Sequence, residues 1–146
     1  MPMSDAPIDR DEVLAQFARM SEKTVFTPLG IRLRDYGDDF LELEMPITDA
    51  ARQPMGLLHG GVSMVLAESA ASMHSTLLCD LTREAPVGIE INGSHVRSAD
   101  SGHVLARATV VRRTRTLVVH EIRISHVETG NLLCVSRVTN LFKPHR

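Results

Sequence analysis

Residues 53–78 read QPMGLLHGGVSMVLAESAASMHSTLL, and two features within them are able to do chemistry. The first is Glu68. From residue 62 to residue 78 there is no Gly, Pro, Lys or Arg. The apolar residues Val62, Met64, Val65, Leu66, Ala67, Ala70, Ala71, Met73, Leu77 and Leu78 fall on every side of a 3.6-residue helix, the pattern of a helix packed inside a protein. Glu68 is its only acid, and no Lys or Arg occurs between Arg52 and Arg83. An ionised carboxylate there must be offset by hydrogen bonds, by a charge from a distant segment, or by protonation. It either snorkels to the surface, meets an arginine from another strand, or serves as a functional acid or base. The second feature is His59-Gly60-Gly61, where that helix should begin. Two glycines at a helix start let another molecule approach N–H groups that have no acceptor within the helix. Those N–H groups lie at the positive end of the helix dipole and favour negative charge.

A helix of this kind needs elements to hold it. Asp9 with Glu12 three residues on is an N-cap signature, Ile8 and Val13 are placed as its hydrophobic staple, and Val13, Leu14, Phe17 and Met20 share one face of the helix that follows. That helix is expected to end before a loop at residues 24–28. Residues 29–35 and 40–45 read as a hairpin about Tyr36-Gly37-Asp38-Asp39, with Leu41, Leu43 and Met45 alternating against Glu42 and Glu44. After the central helix come four runs rich in β-formers, residues 87–97, 103–112, 116–127 and 132–142, with turn signals at 99–102, 113–115 and 128–131. Short connections between long strands predict antiparallel neighbours. The expectation is an α+β fold, a curved antiparallel sheet wrapped around one long central helix, with a short N-terminal helix.

Composition narrows the function. A chain of 146 residues with 43% hydrophobic residues suffices for one globular domain. A net charge of -2 and 3% aromatic residues argue against a nucleic-acid surface. Two cysteines without a CxxC pattern, Cys79 and Cys134, suggest core residues in a reducing compartment. The first twenty residues carry Asp5, Asp9, Asp11 and Glu12 and lack the apolar stretch of a signal peptide. Glu68, His74 and several serines interrupt the one apolar helix, so no membrane span is expected. A cytoplasmic protein follows.

The pattern resembles the hotdog fold, and Gln53-Pro54-Met55-Gly56-Leu57-Leu58-His59-Gly60-Gly61 with Glu68 and Ser72 resembles the acyl-CoA thioesterases of that fold. Within them it is most similar to the branch acting on aromatic thioesters such as hydroxybenzoyl-CoA, phenylacetyl-CoA and dihydroxynaphthoyl-CoA. The likeness is close from Gln53 to Arg97, including Gly88-Ile89-Glu90-Ile91-Asn92 and Ser94-His95-Val96-Arg97. It implies one hotdog domain over residues 1–146, with residues 1–28 as N-terminal helix and loop and residues 56–79 as the central helix region. It further implies that Glu68 is the catalytic carboxylate, as base or nucleophile, and that the Gly60 N–H binds the thioester oxygen. Gln53 and His59 match side chains that orient the carbonyl or the attacking water, and Ser72 matches a hydroxyl one turn below the acid. Met55 stands where relatives often carry an aromatic residue. The expected substrate-binding set adds Gly61, Met64, His95 and Arg97, with Arg112, Arg113 and Arg115 as candidate partners of the CoA phosphates. A thioester needs an oxyanion donor and a base or nucleophile, while its thiolate leaves with little help. No metal or other cofactor is required, and the seven histidines show no HExxH spacing.

Gly60 and Glu68 are eight residues apart, so their Cα atoms lie roughly 12 Å apart on one helix, too far for both to meet one carbonyl. Two antiparallel central helices in a twofold dimer would bring Glu68 of one subunit to the Gly60 end of the other. The resemblance implies the same homo-oligomer, a dimer or dimer of dimers. Two other readings stand beside the thioesterase. A hotdog hydroxyacyl dehydratase also pairs a histidine with a helical acid, although Gln53 and Ser72 around HGG favour hydrolysis. A non-catalytic acyl-CoA sensor would need no base, but 146 residues hold no appended DNA-binding segment. A serine hydrolase is disfavoured because there is no G-x-S-x-G.

Overall fold

The computed structural model describes residues 9–146, in the order α1 (Arg10–Ser21), α2 (Phe26–Leu29), β1 (Arg32–Tyr36), β2 (Phe40–Pro46), a 3-10 turn (Asp49–Ala51), α3 (Gly60–Leu77), β3 (Glu84–His95), β4 (His103–Arg113), β5 (Leu117–His126) and β6 (Leu132–Pro144). Asp9 caps α1 by accepting from the Asp11 N–H at 3.1 Å. The expected staple partner, Ile8, lies outside the described residues. Short α2 falls where a loop was expected. Thr24 Oγ1 accepts the Phe26 N–H at 3.2 Å, and Gly30, at a φ of 68°, ends the turn with its N–H on the Thr27 carbonyl.

The alternation in β2 is borne out. Leu41, Leu43 and Met45 are buried, while Glu42 reaches Arg107 at 2.7 Å and Glu44 pairs with Arg32 at 3.1 Å and with Arg34. Cross-strand ion pairs thus line the wet face.

All six strands form one antiparallel sheet in the order β1-β2-β4-β5-β6-β3. The expectation that the strands after the helix are all hairpin neighbours is corrected for the first of them. β3 lies at the edge beside β6, in register from Glu84↔Pro144 to His95↔Cys134, and not beside β4. Residues 96–102 between β3 and β4 extend to roughly 23 Å. That exceeds the roughly 14 Å of three strand spacings. The segment therefore crosses, passing the start of α3, where the Leu58 N–H donates to the Ala99 carbonyl at 2.8 Å.

α3 lies across strands β2 to β6. Leu66, Ala67, Ala70 and Ala71 are wholly buried against a core that includes Leu43, Met45, Val104, Ala106, Ile122, Ile124 and Val138. Small alanines let the helix approach the sheet closely, and polar groups fix its register. Ser72 Oγ donates to Asn140 Oδ1 at 3.2 Å, and Asn140 Nδ2 donates to Ser75 Oγ at 3.0 Å. His74 and His120, both fully buried, meet at 2.8 Å, and the other ring nitrogen of His74 lies 3.1 Å from the Gly37 carbonyl.

One expectation about α3 fails in part. It is not enclosed on every side: Met64, Val65, Glu68, Ser69 and Ser72 remain half-buried, because a single sheet covers one side of a helix. Among the described residues, no helix is long and apolar enough to cross a membrane.

Candidate active site

His59 is the N-cap of α3, and its Nδ1 accepts the Gly61 N–H at 2.8 Å. An accepting Nδ1 makes the neutral ring the Nε2–H tautomer, leaving that proton for solvent or a ligand. The neighbouring Gly60 N–H, at the first helical position, has no acceptor within the helix. A side chain at Gly60 would collide with His95, since an added methyl would lie 2.8 Å from His95 Nε2. Gly60 is therefore needed for His95 to stand over the helix start.

Gln53 frames the same end. Its Oε1 accepts from the Met55 and Leu57 N–H groups, which turns the side chain's NH2 into the end left for a partner. Gln53, Gly60, Ser63, His95 and Arg97 line a cleft of about 400 Å³. Four expected residues are thereby brought together: Gln53, Gly60, His95 and Arg97. His59 and Gly61 adjoin them as the cap.

Glu68 lies on the open flank of α3. A second depression, about 340 Å³, is lined by Phe26, Val65, Glu68, Ser69, Ser72 and Met73 and shares no residue with the first. Among the described residues Glu68 enters no ion pair. Its carboxylate lodges against Gly88 of β3, where an added methyl would stand only 2.2 Å from Glu68 Oε1. The β3/β6 register slips between Gly88 and Glu90, so the strand bulges at that point. Met64, one turn back, packs over Gly93 in the same way, with 2.6 Å between its Cε and an added methyl.

The other expected residues are distributed differently. Met55 is 82% exposed and lies in neither depression. Arg113 donates to the Leu78 carbonyl at the C-terminal end of α3, and Arg115 lies in the β4/β5 turn, so both are at the far end of the helix from Gly60. Arg112 is exposed on β4 beside them.

Three contributors were not singled out from the sequence. Gly88 carried a usable signal, a glycine inside a strand pattern, which marks a bulge or a close approach. Asn140, the partner of Ser72, and the His74–His120 pair carried none, because strand register creates their contacts. Burial lowers His74 and holds His120 down at about 3, with His74 adding a second, smaller depression. If His74 Nε2–H donates to Gly37, its Nδ1 accepts from His120 Nε2–H, and both rings are neutral. His120 Nδ1 is then a buried acceptor without a partner. Among the described residues, no three His, Cys, Asp or Glu side chains are grouped to hold a metal ion.

The chain as a whole is similar to known proteins. The sequence model of the thioesterase superfamily matches residues 55–141. The 1,4-dihydroxy-2-naphthoyl-CoA hydrolase of Escherichia coli is 42% identical over 120 residues, covering 82% of this chain and 87% of that one. Among solved structures, a glutamine-to-alanine mutant of thioesterase PA1618 from Pseudomonas aeruginosa superposes with a TM-score of 0.86 at 38% identity, over 90% of this chain and 94% of that one. Thioesterase HI1161 from Haemophilus influenzae gives 0.84 at 36% identity, over 90% of each chain. The matched region takes in α3, its glycine-flanked start and the strands from β3 into β6, and the likeness extends to the sheet as a whole. This chain therefore belongs to the thioesterase superfamily, has the hotdog fold, and is a thioester hydrolase.

Proposed function

We propose that the protein hydrolyses an acyl-CoA thioester with an aromatic or medium-length acyl group, using Glu68 as base or nucleophile and the Gly60 N–H as oxyanion donor. The observation that carries this reading is the half-buried Glu68 carboxylate, lodged against Gly88 and in no ion pair among the described residues, on a flank of α3 lined by a shallow depression. A carboxylate held this way is free to attack a carbonyl or to take a proton from water. Charge developing on the carbonyl oxygen is met by the Gly60 N–H and the positive end of α3. The Gln53 amide and the His59 Nε2–H orient the carbonyl or the water. The thiolate leaves as free CoA, so no metal or other cofactor enters.

The reaction requires two chains. Gly60 and Glu68 line separate depressions and are separated by roughly 12 Å along one helix. Edge strand β3 supports a way to bring them together: among the described residues nothing pairs with its outer edge, and Val87 and Ile89 are 41% and 56% exposed. Pairing β3 with its own copy about a twofold axis sets the two α3 helices side by side and antiparallel, with Glu68 of each facing the Gly60 end of the other.

Phe26, Val65 and Met73 around Glu68 give the acyl group an apolar wall. The relative from Escherichia coli is named for a naphthoyl thioester. Both favour a flat or compact acyl group over a long chain. Benzoyl-, phenylacetyl-, naphthoyl- and long fatty acyl-CoA, assayed for thiol release, test the reading. The highest kcat/KM is expected on an aromatic ester. A preference for the long fatty ester contradicts the acyl assignment, and thiol release from none of them overturns the function.

A further inference from the structure

We propose that Asn140 is a positioning residue for the hydrolysis: it takes the proton of the Ser72 hydroxyl and so presents Ser72 Oγ to the Glu68 depression as a hydrogen-bond acceptor for water. This rests on the thioesterase reading above. Asn140 lies on β6 beneath α3 and is wholly buried. It stands in register opposite Gly88, the seat of Glu68. The point where an added methyl on Gly88 would stand is 2.2 Å from Glu68 Oε1 and 3.6 Å from Asn140 Oδ1, so carboxylate and amide oxygen are neighbours across one empty Cβ position. Ser72, which donates to that amide oxygen at 3.2 Å, lines the same depression as Glu68.

The direction of these hydrogen bonds is set from their buried end. Ser75, also wholly buried, has one hydroxyl proton and gives it to the Ala71 carbonyl 2.8 Å away. The Asn140 atom that lies 3.0 Å from Ser75 Oγ must then be the donor, Nδ2. With the amide reversed, two oxygens would face each other there with no hydrogen between them, and burial would leave an acceptor unsatisfied. Oδ1 is therefore turned to Ser72, and having no hydrogen it requires the one that Ser72 carries. The Ser72 proton is thus committed to β6, and lone pairs are left for the depression. A helical serine otherwise donates to the carbonyl four residues back, as Ser75 does, and for Ser72 that carbonyl belongs to Glu68 itself. Asn140 draws the hydroxyl away from it.

An acceptor in this place selects its partner. An ionised carboxylate and a thioester group have no hydrogen to donate, whereas water has two. Water that directs one hydrogen at Glu68 and the other at Ser72 is held with a lone pair free for the carbonyl carbon. With Glu68 as base, the bond from water oxygen to carbonyl carbon forms and the C–S bond breaks; Glu68 takes the first proton and passes it to the departing thiolate, and the second stays on the new carboxyl group. With Glu68 as nucleophile, the water oxygen displaces Glu68 from the acyl anhydride, Glu68 leaves as carboxylate, and one proton goes to solvent. Ser72 gains no proton in either form, so its polarity persists through turnover.

A double-mutant cycle read in kcat on the preferred CoA ester tests this role. Asn140→Ala should lower kcat about tenfold, the scale of a misplaced reactant, and leave KM within about twofold of wild type. Ser72→Ala should lower kcat at least as far. With Ser72 gone Asn140 has nothing to orient, so the double variant should lose less than about twofold beyond Ser72→Ala. Losses that multiply, kcat and KM that worsen together, or an unchanged kcat in Asn140→Ala overturn the proposal. Ser75 lines neither the Gly60 cleft nor the Glu68 depression, yet Ser75→Ala frees the amide to reverse. It should lower kcat about threefold or more at unchanged KM, and no fall overturns the assigned direction. If Asn140→Ala does not fold, the near-isosteric Asn140→Leu takes its place in the cycle, and if neither folds Ser75→Ala decides. Glu68→Gln, assayed alongside, separates two failures. If it is inactive while Asn140→Ala keeps wild-type kcat, the role of Asn140 alone is overturned. If it is fully active, or wild type hydrolyses no ester, the thioesterase reading fails first and the role falls with it.

Discussion

At Glu68 function depends on space as much as on charge. The carboxylate rests where Gly88 has no side chain, so an added methyl 2.2 Å from Oε1 must displace it. Gly88→Ala is expected to lower turnover by at least about tenfold, the scale of one misplaced catalytic contact, while the thermal midpoint falls only a few degrees. Unchanged turnover would show that the carboxylate does not work from that seat. Glu68→Gln, nearly isosteric, should keep the fold and lose more than about 100-fold in kcat, and activity within about tenfold of wild type would contradict its role. The acid itself was legible in the sequence, since an apolar helix without a nearby cation isolates it. Its glycine seat was only half legible, because β-register decides which strand residue lies beneath a helical side chain.

The central helix depends on contacts at both ends and in its middle. At the start, His59 acts as cap through Nδ1. His59→Ala should lose the cap, about 1 kcal/mol, and lower turnover by roughly 10- to 1,000-fold. His59→Asn supplies a new capping oxygen, so the thermal midpoint should return while turnover stays low. Recovery of both would reduce His59 to a cap. In the middle, the His74–His120 pair makes α3 sensitive to acid. Both rings are held below the ordinary histidine pKa, and His120 at about 3, so the folded state keeps them neutral while the unfolded chain protonates them. Their contribution is whole above pH 6.5 and is lost as pH falls toward 3. At pH 5 the His120 difference alone amounts to about 2 kcal/mol of destabilisation. Chemical denaturation at pH 7.5 and pH 5 should show this loss, and His120→Leu should flatten it. An equal slope in that variant would place the acid sensitivity elsewhere. The helix was readable from composition and from the glycines at its start. The pair was not, since two histidines 46 residues apart meet only through the packing of α3 on β5.

For the whole molecule, the wrapped helix and antiparallel sheet were legible in strand periodicity, whereas the place of β3 was not. A seven-residue link reads as a short connection in sequence, yet it is long enough to cross to the far side of two strands. That crossing leaves β3 at an edge, where a second copy has a place to pair. Chelators should leave activity unchanged, since a carboxylate and backbone N–H groups suffice for this chemistry; a loss that divalent zinc restores would require a metal. The shared site is tested most directly by mixing two inactive proteins, Glu68→Ala and Gln53→Ala/His59→Ala, under conditions that exchange subunits. In a heterodimer one site collects both lesions and the other none, so activity should return toward half the wild-type value per heterodimer. Heterodimers that form and remain inactive, or an active species that sediments as a monomer, would contradict a site built from two chains.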